Sequence, residues 1–306
     1  MMIKGTGKFL LVIVGPTAVG KTNLCLKLAK KFETEIISCD SRQFFKEMNL
    51  GTAKPTESEL NQVKHYFIDS LSIFDDYDAK MFENEVLDLL NEKFQSKNLM
   101  IMTGGSGLYV DAICKGFDDI PEIDPSIRAS LIQLFENEGI GVLQENLKKI
   151  DPIYYDAVDL NNPQRLMRAI EVYEGTGKPY SSFRSKKKVK RPFDIIKIGL
   201  RRDREELYDR IDQRMDDMIQ QGLFEEASSL FPFKHLNALH TVGYSEIFRY
   251  LEGDYDREEA IRLLKRNSRR YAKRQMTWFN RDEEITWFDP SQFEEVSSFV
   301  ANQIAL

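Results

Sequence analysis

Residues 15–22 read Gly-Pro-Thr-Ala-Val-Gly-Lys-Thr and match the spacing GxxxxGK[ST]. The two glycines let the backbone curl so that successive N–H groups point inward as an anion nest. Lys21 adds a mobile ammonium, and the hydroxyl of Thr22 is a candidate Mg2+ ligand. The chemistry is capture of a di- or triphosphate by Gly15, Pro16, Thr17, Ala18, Val19, Gly20, Lys21 and Thr22. Further on, Asp40-Ser41-Arg42-Gln43 places a carboxylate beside groups able to read a base edge. Asp40 could act as general base on an incoming nucleophile; a turn aspartate can equally cap the backbone N–H of Ser41 or Arg42. Arg210 and Arg214 stand at i, i+4. They suit a guanidinium clamp on a diphosphate leaving group, or a solvated face with ion pairs such as Glu206–Arg210.

These groups need a scaffold that brings them to one place. Phe9–Val14 is a continuous apolar run, as expected of a strand buried on both faces. Thr22–Phe32 carries Leu24, Leu28 and Phe32 at helical spacing, and Glu35–Cys39 reads as a second strand. The pattern is a βαβ unit. In an open parallel sheet, loops at strand C-termini converge on one crevice, so Asp40 should face the phosphates. Phe82–Phe94 is amphipathic, and a strand at Leu99–Thr103 leads into the turn Gly104–Gly107. No acid ends that strand, which disfavours ATP or GTP hydrolysis. Beyond about residue 120 the periodicity turns helical, with Asp124-Pro125 and Asn162-Pro163 as capped helix starts. Gln164, Arg165 and Arg168 occupy the opening turns of the second, with Leu166, Ile170 and Tyr173 on its apolar face. Phe193–Leu200 alternates as a strand, and helices follow at 204–221, 223–230 and 256–279. The expected fold class is α/β: a P-loop NTPase-like parallel-sheet core at 1–120 and 193–306, with an inserted all-helical domain at 121–192.

The 306 residues carry a formal charge of −6 and are 42% hydrophobic, enough for a core. Mild net acidity by itself argues against a polyanionic partner, but the charge is segregated. Residues 184–191 hold six basic residues and no acid, and residues 262–281 hold eight and no acid. One such run is ordinarily a solvated face. Several, interleaved with Tyr271 and Trp278, read as a polyanion footprint. Cys25, Cys39 and Cys114 are odd in number and widely spaced, which points to reduced thiols. The longest N-terminal apolar run is six residues, far short of the roughly 20 that span a bilayer. A soluble, cytoplasmic protein is expected, with no membrane partner and no sign of an oligomer-forming coiled coil.

The chain resembles the tRNA dimethylallyltransferases, also called tRNA isopentenyltransferases. The resemblance rests on GPTAVGKT (15–22), DSRQ (40–43), GTAKP (51–55), HYFID (65–69), GGSGLY (104–109), NPQRLMRAIEV (162–172), TGKP (176–179), RDREELYDRIDQRMDDM (202–218), VGYSEI (242–247) and RRYAKRQMTWF (269–279). It implies that the loop holds dimethylallyl diphosphate, and that the acceptor is the exocyclic amine of the adenosine 3′-adjacent to the tRNA anticodon. That base must leave its stack to be reached. By the same resemblance Asp40 takes a proton from the amine, while Lys21, Arg210 and the loop hold the diphosphate, and Thr22 with Mg2+ neutralises it. Asp40, Ser41, Arg42, Gln43, Ser106, Arg128, Gln164, Arg165, Leu166, Met167 and Arg168 map onto tRNA-contacting positions, and the insertion grips the anticodon stem-loop. The family pattern has His-His where this chain has His65-Tyr66, and threonine where it has Ser106. His65 is assigned no role. The chain also stops without the zinc finger of some eukaryotic relatives, the pattern expected of a bacterial or organellar-type enzyme. The alternative is a P-loop small-molecule or nucleoside kinase, with ATP on the loop, Asp40 as base for a hydroxyl and the arginines as a lid.

Overall fold

The computed structural model describes residues 7–118, 120–184 and 189–305. Its centre is β1 (Phe9–Val14), all six residues of which are buried. Phe9, Leu11 and Ile13 join one apolar cluster, and Leu10, Val12 and Val14 join another. A strand whose alternate residues feed two cores must be covered on both faces. The chain continues through α1 (Lys21–Lys31), β2 (Ile36–Ser38), α2 (Glu57–Leu60), β3 (His65–Tyr66), α3 (Ala79–Lys93), β4 (Leu99–Gly104) and α4 (Gly107–Lys115). Helix α3 starts earlier than its apolar pattern suggests because Asp78 caps it, accepting from the N–H groups of Lys80 and Met81 at 2.8 Å each.

The chain divides into two compact units. One comprises Met1–Lys115 with Lys190–Leu306, the other Gly116–Val189. In the second, α5 (Pro125–Glu138), α6 (Ile140–Ile150), α7 (Pro152–Tyr155), α8 (Pro163–Thr176) and α9 (Tyr180–Phe183) surround a core of Leu131, Leu143, Leu147, Leu166, Met167, Ala169 and Ile170. The first unit resumes with β5 (Asp194–Leu200), α10 (Arg204–Gln220), α11 (Leu223–Leu230), α12 (Tyr244–Leu251), α13 (Arg257–Phe279), β6 (Thr286–Phe288) and α14 (Phe293–Ile304). Its six strands run in the order β3-β2-β4-β1-β5-β6, every neighbouring pair parallel. The loops after β1, β2 and β4 therefore leave one edge, where such sheets bind ligands. None of the described helices is long and apolar enough to cross a membrane.

Packing corrects the reading of the two basic runs as open positive surfaces. In 184–191, residues 185–188 lie outside the described residues. Arg184 stacks over the Tyr154 ring at 5.5 Å. Arg191 is buried, paired with Glu83, and donates to the carbonyls of Ile113 (2.8 Å) and Ala112 (2.6 Å). In 262–281 the missing acids come from elsewhere in the chain. Glu259 pairs with Arg262 at 2.6 Å, Asp216 with Lys265 at 2.7 Å and Asp212 with Arg269 at 2.5 Å. Lys265 and Arg269 thus belong to the seam between α10 and α13, and Arg262 is neutralised within α13 itself.

Candidate active site

The phosphate loop joins β1 to α1, with Gly15 at φ 149° and Gly20 at φ 112°. Lys21 folds back across it, its Nζ donating to the carbonyls of Gly15 and Pro16 at 2.8 Å each. Burial lowers the pKa of this ammonium from 10.5 to about 8 against the opposing pull of Asp40. Thr22 is exposed on the first turn of α1 and lines the same cavity as Lys21.

Helix α10 supplies the opposite wall. Its stripe of Leu207, Ile211, Met215 and Met218 is buried, which seats the flanking arginines against the loop. Arg210 Nε donates to the Ala18 carbonyl at 2.9 Å, and Arg214 Nη1 to the Thr17 hydroxyl at 3.3 Å. Arg202, just upstream, donates to the Val19 carbonyl at 2.9 Å and takes Glu206 as its own partner. The solvated Glu206–Arg210 face does not form. Three guanidinium groups close on the loop, and Arg214 has its pKa lowered by burial, opposed by the charge of Asp40.

Asp40 caps its own turn and also lines the cavity. One carboxylate oxygen accepts the Arg42 N–H at 3.1 Å, and the residue lines the cavity, where its charge reaches Lys21 and Arg214. Ser41 and Ser106, 65 residues apart, meet directly. The Ser41 N–H donates to the Ser106 hydroxyl at 3.0 Å, and that hydroxyl donates to the Ser41 hydroxyl at 3.1 Å. The amide of Gln43 is engaged at both ends: its Nε2 donates to the carbonyls of Thr52 (3.2 Å) and Ala53 (3.1 Å), and its Oε1 accepts from Ser38 at 3.1 Å. Arg42 turns away to the carbonyls of Asn237 (3.1 Å) and His240 (3.4 Å). The turn that holds Gln43 is itself anchored by Glu226. Its carboxylate accepts from the N–H groups of Asn49 (3.1 Å), Leu50 (2.9 Å) and Gly51 (3.0 Å), and from the buried Tyr244 hydroxyl at 2.6 Å.

Together these groups enclose a cavity of about 560 Å³. It is lined by the phosphate loop with Arg210 and Arg214, by Asp40 and Gln43, and by the apolar side chains of Met215, Met218, Leu223 and Val242. His65 also lines it, with Nδ1 2.8 Å from the Val63 carbonyl and its pKa lowered by burial. Among the described residues no cluster of three or more His, Cys, Asp or Glu side chains is placed to hold a metal by itself. A phosphate-borne Mg2+ does not require one, since it keeps several waters and takes one or two protein groups. Thr22 suits that part.

The predicted tRNA contacts in the helical unit separate into two kinds. Arg128 donates to Gln164, and Glu171 forms ion pairs with both Arg128 (3.5 Å) and Arg168 (3.3 Å). Arg165 is exposed. Leu166 and Met167 are 0% and 1% exposed in the core of the bundle, so as contacting side chains they are excluded. An α8 that shows one face to a ligand must bury the other.

The family model described as IPP transferase matches residues 43–282. A tRNA dimethylallyltransferase 1 of Bacteroides fragilis (strain YCH46) is 51% identical over 299 residues, covering 98% of this chain and 99% of that protein. The chain belongs to the IPP transferase family. A tRNA dimethylallyltransferase of Cytophaga hutchinsonii is 53% identical over 96% of each chain. Among solved structures, the full-length tRNA isopentenylpyrophosphate transferase of Bacillus halodurans superposes with a TM-score of 0.72 at 37% identity, covering 97% of each chain. A eukaryotic dimethylallyltransferase acting on tRNA gives 0.80 at 26% identity, over 96% of this chain and 77% of its own. This family member therefore covers nearly the whole length of these bacterial relatives.

Glu226, on α11, had no legible signal. Arg202 and Gln275 fall inside the family-like segments 202–218 and 269–279, where nothing marked them as site residues. Gln275, on α13, accepts the Thr17 N–H at 2.8 Å across 258 residues of chain and donates to the Gly105 carbonyl at 3.0 Å. Arg214 did have one, its i+4 spacing from Arg210.

Proposed function

We propose that this chain transfers a dimethylallyl group from dimethylallyl diphosphate to the exocyclic N6 amine of the adenosine 3′-adjacent to the tRNA anticodon, releasing diphosphate. One observation carries the reading. A single cavity is lined both by an anion nest with two arginines and by the carboxylate of Asp40, with no ATPase-type acid on β4. Diphosphate oxygens bind the loop N–H groups, Lys21, Arg210 and Arg214, leaving the allylic carbon beside the apolar wall of α10. The adenosine amine approaches that carbon from the side of Asp40. The N6–C1 bond forms as the C1–O bond breaks, Asp40 receives the amine proton, and the electron pair leaves with the diphosphate. Mg2+, held by the Thr22 hydroxyl and diphosphate oxygens, would supply further charge neutralisation on the leaving group.

The helical unit would hold the anticodon stem-loop through Arg128, Gln164, Arg165 and Arg168, with Ser41 and Ser106 lining the approach of the flipped base. Gln43, its amide already engaged, would read the adenine by its remaining lone pair. A kinase has no use for such an RNA grip. The protein would work in the cytoplasm as a monomer. The test is to incubate it with unmodified tRNA, dimethylallyl diphosphate and Mg2+, then digest the RNA and weigh the nucleosides. One adenosine heavier by a five-carbon prenyl unit is expected. An unchanged adenosine pool, with ATP turned over on a small acceptor, would refute the reading.

A further inference from the structure

Gln275 is 5% exposed, and its carboxamide spends both ends on backbone groups of two different loops, the phosphate loop after β1 and the loop after β4. Its oxygen takes the N–H of Thr17, inside the phosphate loop. Its nitrogen gives to the carbonyl of Gly105, which immediately precedes Ser106. The Ser106 hydroxyl in turn holds the N–H of Ser41, the neighbour of Asp40. A continuous line of hydrogen bonds and single peptide units thus runs from the loop that would grip the leaving group to the residue that would take the proton.

The packing around this strut is tight enough to explain why the loop after β4 is rich in glycine. A Cβ on Gly105 would lie 2.1 Å from the Gln275 amide nitrogen, and one on Gly107 would lie 2.4 Å from the Trp278 ring. Helix α13 is seated directly on that loop. It is also pinned to α10 through Lys265–Asp216 and Arg269–Asp212, and α10 carries Arg210 and Arg214. A largely buried amide bonded at both ends is a stiff spacer, because releasing either bond leaves a poorly solvated polar group unpaired.

We propose that Gln275 is a positioning residue that fixes the spacing between the phosphate loop and the acceptor loop, and through it the alignment of leaving group, allylic carbon and Asp40. It touches neither substrate's reacting atoms. Its loss should therefore appear in turnover and leave affinity largely unchanged, since a misplacement of about 1 Å can cost about a hundredfold in rate. The inference rests on the prenyl-transfer reading, which the wild-type rate in the same assay tests separately.

The decisive variant is Gln275→Glu. A protonated glutamic acid offers the same one acceptor and one donor as the amide. An ionised one cannot donate to Gly105 and adds a negative charge beside the anion nest. Burial, the facing Gly105 carbonyl and the charge of Asp40 raise a carboxyl pKa here, against the pull of the Thr17 N–H, Lys21 and Arg214, so the ratio of variant to wild-type kcat should climb severalfold as the pH falls from about 8.5 to about 6. Taking the ratio cancels the dependence on Asp40 that both proteins share. Gln275→Met, similar in size and unable to make either bond, should lower kcat about tenfold or more with both KM values within about threefold. Gly105→Ala should reproduce that loss, yet add nothing to Gln275→Ala, where the truncated side chain makes room for the new methyl. A flat Gln275→Glu ratio across the pH range, in protein that melts above the assay temperature, would overturn the proposal. So would a Gln275→Met variant whose defect lies wholly in KM. Should Gln275→Met fail to fold, the pH ratio of Gln275→Glu decides alone.

Discussion

The core unit and the helical unit solve different problems with the same residue types. In the core, arginines are spent on backbone: Arg210, Arg202 and Arg42 each donate to main-chain carbonyls, and Arg214 to a threonine hydroxyl. Those bonds hold loops still around a cavity. In the helical unit, Arg128 and Arg168 share a single carboxylate, Glu171, and Arg165 is left exposed on α8. Under the proposed function, the first arrangement would supply preorganised charge at the reacting centre, which acts without having to reorganise. The second would supply a soft electrostatic grip on a polyanion, whose strength varies with salt. Chemistry and grip should therefore be separable by mutation.

The largest effect is expected at Asp40. Asp40→Ala should lower the single-turnover rate by about a hundred- to ten-thousandfold, the usual worth of a positioned general base, while the tRNA dissociation constant stays nearly unchanged. Near-normal turnover would remove Asp40 from its role. Next comes Arg210→Ala, which should cost about a hundredfold in kcat/KM for the prenyl diphosphate by removing charge that faces the leaving group. An equal loss in tRNA affinity would place Arg210 on the other side of the comparison.

The pH dependence of donor binding probes the core alone. Lys21 is lowered to about 8, so its ammonium is present below that pH and lost above it. The KM for the diphosphate should be flat below about 8 and rise beyond it, and Lys21→Met should raise the KM at low pH and erase the dependence. The sign for stability is opposite. A lysine with a depressed folded pKa carries its penalty below about 8 and sheds it towards its unfolded value. Lys21→Met should therefore melt no lower than the parent at neutral pH. The smallest effect belongs to the grip. Arg165→Ala should weaken tRNA binding about threefold to tenfold and reduce the salt slope by about one, with the rate at saturating tRNA preserved.

The two regions also differ in how much of them could be read beforehand. The strand–loop–helix from Phe9 to Lys31 was legible because every signal is local: an apolar run, a glycine-framed loop and a helical stripe. The helical unit was legible for a similar reason, since Asp124-Pro125 and Asn162-Pro163 announce their helices. The strand His65–Tyr66 was not, because two residues carry no period. The struts of the active site were hidden more deeply. Gln275 and Glu226 act on backbone far away in sequence, and nothing in their own neighbourhoods reports the partner. Long-range pairing also explains the misreading of the basic runs. A stretch without acids says only that the acids are not adjacent; Asp212 and Asp216 arrive from α10 to meet Arg269 and Lys265. Arg191, counted there among surface cations, lies buried against Glu83.

The separation of chemistry from grip is tested most directly by two constants measured side by side. They are the single-turnover rate at saturating tRNA and the tRNA dissociation constant, each for wild type, Asp40→Asn and Arg165→Ala. The structure predicts a crossed pattern: Asp40→Asn loses rate and keeps affinity, and Arg165→Ala loses affinity and keeps rate. Loss of rate at saturating tRNA in Arg165→Ala, or loss of affinity matching the loss of rate in Asp40→Asn, would contradict it.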